Sequence, residues 1–210
     1  MKSPVGGMWK DKNIITLISP SFKDLLTIKH KLSVDYLMLY FSGHGTAEDG
    51  RTGIMLNQNE VVDIIALPVF AKRQVFIFDA CRYDPDYLNE VCIHYPSDNS
   101  IVDYKVKCIY ESYLKNCLEG ITYCFSCSYG GSSWSNDHVG AYFTSSLLTE
   151  SISWSLSRQL SEVLSINKVC ELSCEKIRLC YDHDQEPAIS FLNNGVAFPF
   201  AVNLYALTQL

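Results

Sequence analysis

Two apolar runs constrain this chain more than anything else in it. Residues 35–42 (DYLMLYFS) and 74–79 (QVFIFD) are continuously apolar. That pattern fits strands of a parallel sheet covered on both faces, whereas a strand with one wet face alternates. Further strand candidates are 14–18 (IITLI), 121–127 (ITYCFSC) and 196–204 (VAFPFAVNL), the last broken by Pro199, which suits an edge or a bulge. Helical patterns fall between them. SFKDLLTIKHKLS offers Ser21 as an N-cap with Leu25, Ile28 and Leu32 on one face, and residues 103–117, 140–158 and 166–180 complete the set. Strands alternating with helices predict an α/β three-layer sandwich: a mostly parallel central sheet with helices on both faces.

Length and composition fit one domain over residues 1–210, with no repeat and no low-complexity tract. A net charge of −6 argues against a nucleic-acid partner, which calls for a basic face. No apolar stretch reaches the length of a membrane span, and MKSPVGGMWKDKN lacks the apolar core of a secretory signal. The expectation is a cytoplasmic protein with no membrane partner. Nine cysteines then sit in a reducing compartment, and an odd number cannot pair completely within the chain. Cys124 and Cys127, three apart on a strand, point to opposite faces. Cys170 and Cys174 lie on the apolar face of a helix with Ile166 and Ile177. Core packing is therefore expected of them, not a metal site.

The two apolar runs end in chemistry. Residues 42–45 read SGHG and residues 79–82 read DACR. Groups that react gather outside the carboxyl ends of parallel strands, and neighbouring strands are about 4.8 Å apart. His44 and Cys81 could thus face one substrate, with a thiolate as nucleophile and a histidine to activate it or protonate the leaving amine. Gly43 and Gly45 suggest close backbone approach and dihedrals that other residues avoid. The amides of Gly45 and Cys81 are candidates for an oxyanion site. Taken singly, a histidine at a strand end is usually a surface residue and a buried cysteine usually packing; the pairing at matching strand ends carries the reading.

SGHG after one apolar strand and DACR after the next resemble the paired signatures of the caspase-like cysteine peptidases, which include caspases, metacaspases and bacterial orthocaspases. The caspase signature is Gln-Ala-Cys-(Arg/Gln/Gly)-Gly with its histidine about 50 residues upstream. Here Asp79 stands in place of the glutamine and Tyr83 in place of the final glycine, and the separation is shorter. Asp before Ala-Cys is the metacaspase and orthocaspase form. NIITLISPSFKDLLTIKHKL, GITYCFSCSYGGSSWSND, GAYFTSSLLTE and QEPAIS resemble further segments, so that residues 13 to 205 can be placed on the family.

The resemblance implies a division into a large-subunit-like part (1–92), a processing linker (93–118, with Lys105, Lys107 and Lys115) and a small-subunit-like part (119–210). It also implies hydrolysis of peptide bonds in protein or peptide substrates, with Asp79, helped by Ser42, as the floor of a pocket for Arg or Lys. The other reading of Asp79 is a loop-ordering carboxylate. Trp134 either lines a subsite or caps the core, and SYGGSS looks like a mobile loop. Arg82 either steers an acidic group or pairs with a carboxylate such as Asp84. No cofactor is implied. Some metacaspases need calcium, but Asp84 and Asp86 match only part of that acidic set. The strand and helix that open the family's domain have no counterpart ahead of Ile14, and the missing strand would lie between 14–18 and 35–42. Either an upstream segment or a partner completes the sheet, or those two strands pair directly. A catalytically impaired pseudopeptidase serving as an interaction module is the alternative; an unrelated doubly wound domain lacks any glycine-rich fingerprint.

Overall fold

The computed structural model of the chain describes residues 6–82, 100–136, 138–159, 161–181, 184–192 and 196–207. In chain order the elements are α1 (Phe22–Lys31), β1 (Tyr36–Ser42), β2 (Gly45–Glu48), β3 (Arg51–Asn57), β4 (Glu60–Asp63), β5 (Arg73–Asp79) and α2 (Ser100–Asn116). They continue with β6 (Gly120–Phe125), β7 (Ser135–Asn136), β8 (Gly140–Ala141), α3 (Tyr142–Leu156), β9 (Val163–Ser165), α4 (Ile166–Cys180), β10 (Ala188–Leu192), β11 (Pro199–Val202) and α5 (Leu204–Leu207).

The central sheet has the order β1-β5-β6-β10. Both β1–β5 and β5–β6 are parallel, and β10 runs antiparallel to β6. Strand alternation splits the sheet's side chains between two cores. Val75, Ile77 and Cys124 join Val106 and Tyr110 of α2, Phe143 and Leu147 of α3, and Val169, Cys170 and Ile177 of α4. Phe76, Phe78, Ile121 and Phe125 face the other way, onto Leu25 of α1 and onto Ile54, Leu56 and Val62 of the β2-β3-β4 hairpin sheet. Both faces of β5 are covered, as its unbroken apolar run requires. The result is the expected α/β sandwich.

Local chemistry explains the elements. Ser21 caps α1 in a capping box with Asp24, each side chain bonding the other's backbone N–H. In α4, Ile166, Val169, Cys170, Ser173 and Ile177 form one buried stripe at helical spacing. Cys170 and Cys124 pack in a single cluster as small apolar groups.

Three expectations need correction. No strand forms at 14–18; Ile15 and Ile18 are exposed. A strand is held by a ladder, and that segment pairs with none of the described strands. Direct pairing of 14–18 with β1 is thereby ruled out, and β1 is an edge strand among the described residues. Its side chains are half-buried or, at Tyr40 and Ser42, exposed, although they reach both cores, Tyr36 and Met38 into one and Leu39 and Phe41 into the other. Second, the run 196–204 forms a four-residue strand, β11, which pairs with β9 outside the central sheet, with a register shift next to Pro199. Third, the β2-β3-β4 sheet and β10 were not expected at all. Of the 93–118 segment, residues 93–99 lie outside the described residues and 100–116 is helix. Asp84 and Asp86 also lie outside them. No helix among the described residues is long and apolar enough to cross a membrane.

Candidate active site

The β1–β5 register sets the site. Ser42, the last residue of β1, lies opposite Asp79, the last residue of β5. Gly43 N–H continues the ladder by donating to the Asp79 carbonyl at 3.3 Å. His44 and Cys81 each follow two residues later, so they leave adjacent strands at the same edge and at matching height. Both are half-buried. Beyond His44 the chain turns into β2, and the His44 carbonyl accepts a bond from Met55 N–H at 2.9 Å.

That bond has a consequence for Gly45. It makes Gly45 and Ile54 a non-hydrogen-bonded pair of the β2–β3 ladder, which turns the Gly45 N–H away from β3. Gly45 also abuts the Cys81 backbone: a Cβ built on it would lie 2.3 Å from the Cys81 carbonyl oxygen. Neither Gly43 nor Gly45 has a positive φ. Close approach, not an unusual dihedral, is what Gly45 provides.

Asp79 is 4% exposed. Its Oδ1 accepts from Ser133 Oγ at 2.8 Å, and its Oδ2 from Thr144 N–H at 3.0 Å and from the Thr144 hydroxyl. Burial pushes this carboxyl above the usual carboxylate range, and the bonds from Thr144 and Ser133 offset only part of that. Thr144 also meets the Tyr40 hydroxyl at 2.8 Å, and burial together with the Asp79 charge raises the Tyr40 phenol. Ser42, paired with Asp79, projects from the same face of the sheet and is exposed. Trp134 is 42% exposed in the loop after β6, which tells against a core role.

That loop, residues 126–134, is tied down. Arg82 N–H donates to the Gly131 carbonyl at 2.9 Å and Gly130 N–H to the Arg82 carbonyl at 3.1 Å. Ser126 Oγ accepts from Ala80 N–H and donates to the Ala80 carbonyl. Ser133 N–H donates to Cys81 Sγ at 3.3 Å, and the thiol reaches the Ser133 carbonyl at 3.4 Å. The Gly130-Gly131 pair, with Gly130 at φ 78°, forms the turn that makes these contacts. A pair of glycines that suggests mobility thus serves here to press the loop against Cys81.

A family model described as the caspase domain matches residues 16–193. The chain belongs to the caspase domain family. Among solved structures, the crystal structure of caspase-1 from Spodoptera frugiperda matches with a TM-score of 0.46 and 16% identity, covering 80% of this chain. This chain spans 65% of that one. A search of curated proteins gives no match.

This caspase domain holds several site residues that motif reading misses. Arg82 pairs with no carboxylate among the described residues. Its Nε and Nη2 donate to Thr52 Oγ1 at 3.0 and 2.8 Å, and its guanidinium lies over the Phe125 ring at 4.2 Å and near Tyr129 at 5.4 Å. Tyr129 in turn accepts from Gly50 N–H at 2.7 Å. Arg82 therefore pins the hairpin sheet to the loop behind Cys81. Cys127 is fully buried, its thiol pushed up to about 11 by burial, and it donates to the Ala80 and Gly131 carbonyls. Ser126, Ser133 and Thr144 carry no motif; each matters only because the fold brings it to Ala80, Cys81 or Asp79.

Proposed function

We propose that this chain is a cysteine endopeptidase in which His44 and Cys81 form the catalytic dyad. What carries the reading is the β1–β5 register, which ends both strands level and leaves His44 and Cys81 at one edge of the sheet. Cys81 Sγ attacks the carbonyl carbon of the scissile bond, and its proton passes through His44 to the departing amine. The resulting thioester is hydrolysed by a water that His44 deprotonates. The N–H groups of Gly45 and Cys81 hold the oxyanion; the turning of Gly45 N–H away from β3 supports its part. A free thiol is needed throughout, which accords with a reducing, cytoplasmic setting.

The substrate is a protein or peptide segment cut after Arg or Lys. Asp79 forms the pocket floor, Ser42 its side, and Trp134 a wall of the neighbouring subsite. Asp79 Oδ1 accepts from Ser133 Oγ and a carboxylate oxygen has capacity for a further bond, from a guanidinium or ammonium. A cation there would also favour the ionised carboxylate that burial disfavours. Processing at Lys105, Lys107 or Lys115 would require α2 to unwind locally, since all three lie within it.

A second reading has one observation in its favour. The outer edge of β1 has no ladder partner among the described residues, and a strand from a partner or an upstream segment could pair there. On that reading the domain is an interaction module without turnover. Hydrolysis of peptides differing only before the cut, by the intact chain and by Cys81→Ala, separates the two. The enzyme reading expects cleavage after Arg or Lys that disappears in Cys81→Ala. Equal hydrolysis by both proteins overturns it.

A further inference from the structure

Gln185 is a polar side chain with 1% exposure, far in sequence from SGHG and DACR. Its position follows from the topology. β10 runs antiparallel to β6 with Ala188 opposite Phe125, so the residues ahead of Ala188 pass the carboxyl end of β6, where the 126–134 loop departs. Pro187 holds Glu186 extended, which carries the chain past that end without a turn.

There the Gln185 amide spans the loop. Its Nε2 donates to the Ser126 carbonyl at 2.9 Å, at the loop's start, and its Oε1 accepts from Trp134 N–H at 3.0 Å, at its end. One planar group thus fixes the separation of two backbone points eight residues apart. Between them lies Ser133, whose backbone touches Cys81 Sγ and whose hydroxyl bonds Asp79. Buried polar groups that satisfy two backbone partners are costly to replace, because both partners are left unpaired.

We propose that Gln185 is the positioning residue of this site, clamping both ends of the 126–134 loop so that Ser133 is held against Cys81 and Asp79. Its consequence for catalysis rests on the dyad reading; the clamp itself does not. Gln185→Met keeps the side chain's length and volume and removes both bonds. Gln185→Glu keeps the acceptor for Trp134 N–H and loses the donor to the Ser126 carbonyl.

The test is hydrogen exchange by mass spectrometry on the full chain, with peptides covering 126–134 and, as a fold control, 73–79. Gln185→Met should speed exchange in the loop by about tenfold or more and leave 73–79 unchanged. Gln185→Glu should fall between Met and wild type, and it serves alone if the Met variant does not fold. With an arginyl peptide, kcat/KM of the Met variant should drop by about 10–100-fold. Alkylation of Cys81 by iodoacetamide, which needs no substrate cleft, should not slow. Unchanged loop exchange, or equal acceleration in 73–79, overturns the clamp. If the wild type hydrolyses no peptide, the dyad reading fails while the exchange experiment still decides the clamp.

Discussion

Gly45→Ala adds a single methyl group at a crowded point against the backbone of Cys81, the proposed nucleophile. The new Cβ would sit 2.3 Å from the Cys81 carbonyl oxygen, 3.1 Å from the Ala80 Cβ and 3.1 Å from the Gly53 carbonyl oxygen. Two of those three neighbours are backbone, and ordinary contact begins near 3.4 Å. Cys81 and Gly45 must therefore separate by about 1 Å to restore contact distance. Overpacking of this kind costs about 1–3 kcal/mol of stability, which the two cores can absorb. Catalysis tolerates it less, since a displacement of about 1 Å at reacting groups can cost on the order of 100-fold in rate. The assay pairs a thermal melt with kcat/KM on an arginyl peptide. Gly43→Ala is the control, because its Cβ would meet only the Phe41 ring tip, at 3.0 Å, which can swing aside. The expected result is a folded Gly45→Ala with activity down by about 100-fold and a Gly43→Ala that is far less affected. A Gly45→Ala protein with wild-type activity and melting would refute the close approach and the oxyanion site built on it.

Three further outcomes follow from the same structure. Asp79→Ala should lower kcat/KM for arginyl peptides by about 10–100-fold, the size of a hydrogen bond to a charged group, and change a neutral norleucyl peptide much less; an equal loss on both would leave Asp79 only its loop-ordering role. Because the folded state raises the Asp79 pKa, the folded chain holds that proton more tightly than the unfolded one. Its stabilisation is present below the ordinary carboxylate value and is lost as pH rises through the folded value. Melting of wild type relative to Asp79→Asn should therefore fall as pH rises above the ordinary carboxylate value, and a flat or rising difference would contradict that assignment. Phe143→Ala, at a fully buried position in the core shared by α2, α3 and α4, should cost about 3–5 kcal/mol in denaturant titration; a loss under about 1 kcal/mol would mean the core is not packed as described.

How much of this could be read from residues alone depended on where the constraint was written. QVFIFD had to be covered on both faces, and it is; Ser21 reads as an N-cap and is one, with Asp24 completing the capping box. The α4 stripe matched its expected bounds because every buried position is apolar or small at helical spacing. IITLI reads as a strand by composition but forms none, since pairing depends on the neighbour as well and no described strand pairs with it. The β2–β3 turn had a local signal, Asp49-Gly50, both at positive φ (49° and 77°), flanked by strand residues. AISFL, which forms β10, is short and lies between Pro187 and Asn193, too little for periodicity to decide.

The site divides the same way. His44 and Cys81 stand out because each ends an apolar run, and the register follows from parallel pairing. Gln185, Ser133 and Thr144 could not stand out: their roles come from contacts across 51 to 65 residues of sequence, fixed by β10 running beside β6 and by α3 starting beside Asp79. Arg82 shows the limit in another form. Its charge suggests a carboxylate such as Asp84, which lies outside the described residues; among the described residues its partners are a threonine hydroxyl and two aromatic rings, which no motif announces.

The central claim is that Cys81, assisted by His44, attacks a carbonyl presented by a basic residue. The direct measurement is covalent labelling of the intact chain with an arginyl or lysyl electrophile, followed by mass-spectrometric identification of the modified residue in wild type, His44→Ala and Cys81→Ala. The account expects modification at Cys81 in wild type, slowed in His44→Ala, absent in Cys81→Ala and weaker with an aspartyl electrophile. Labelling of another cysteine, or labelling of Cys81 indifferent to His44, would contradict it.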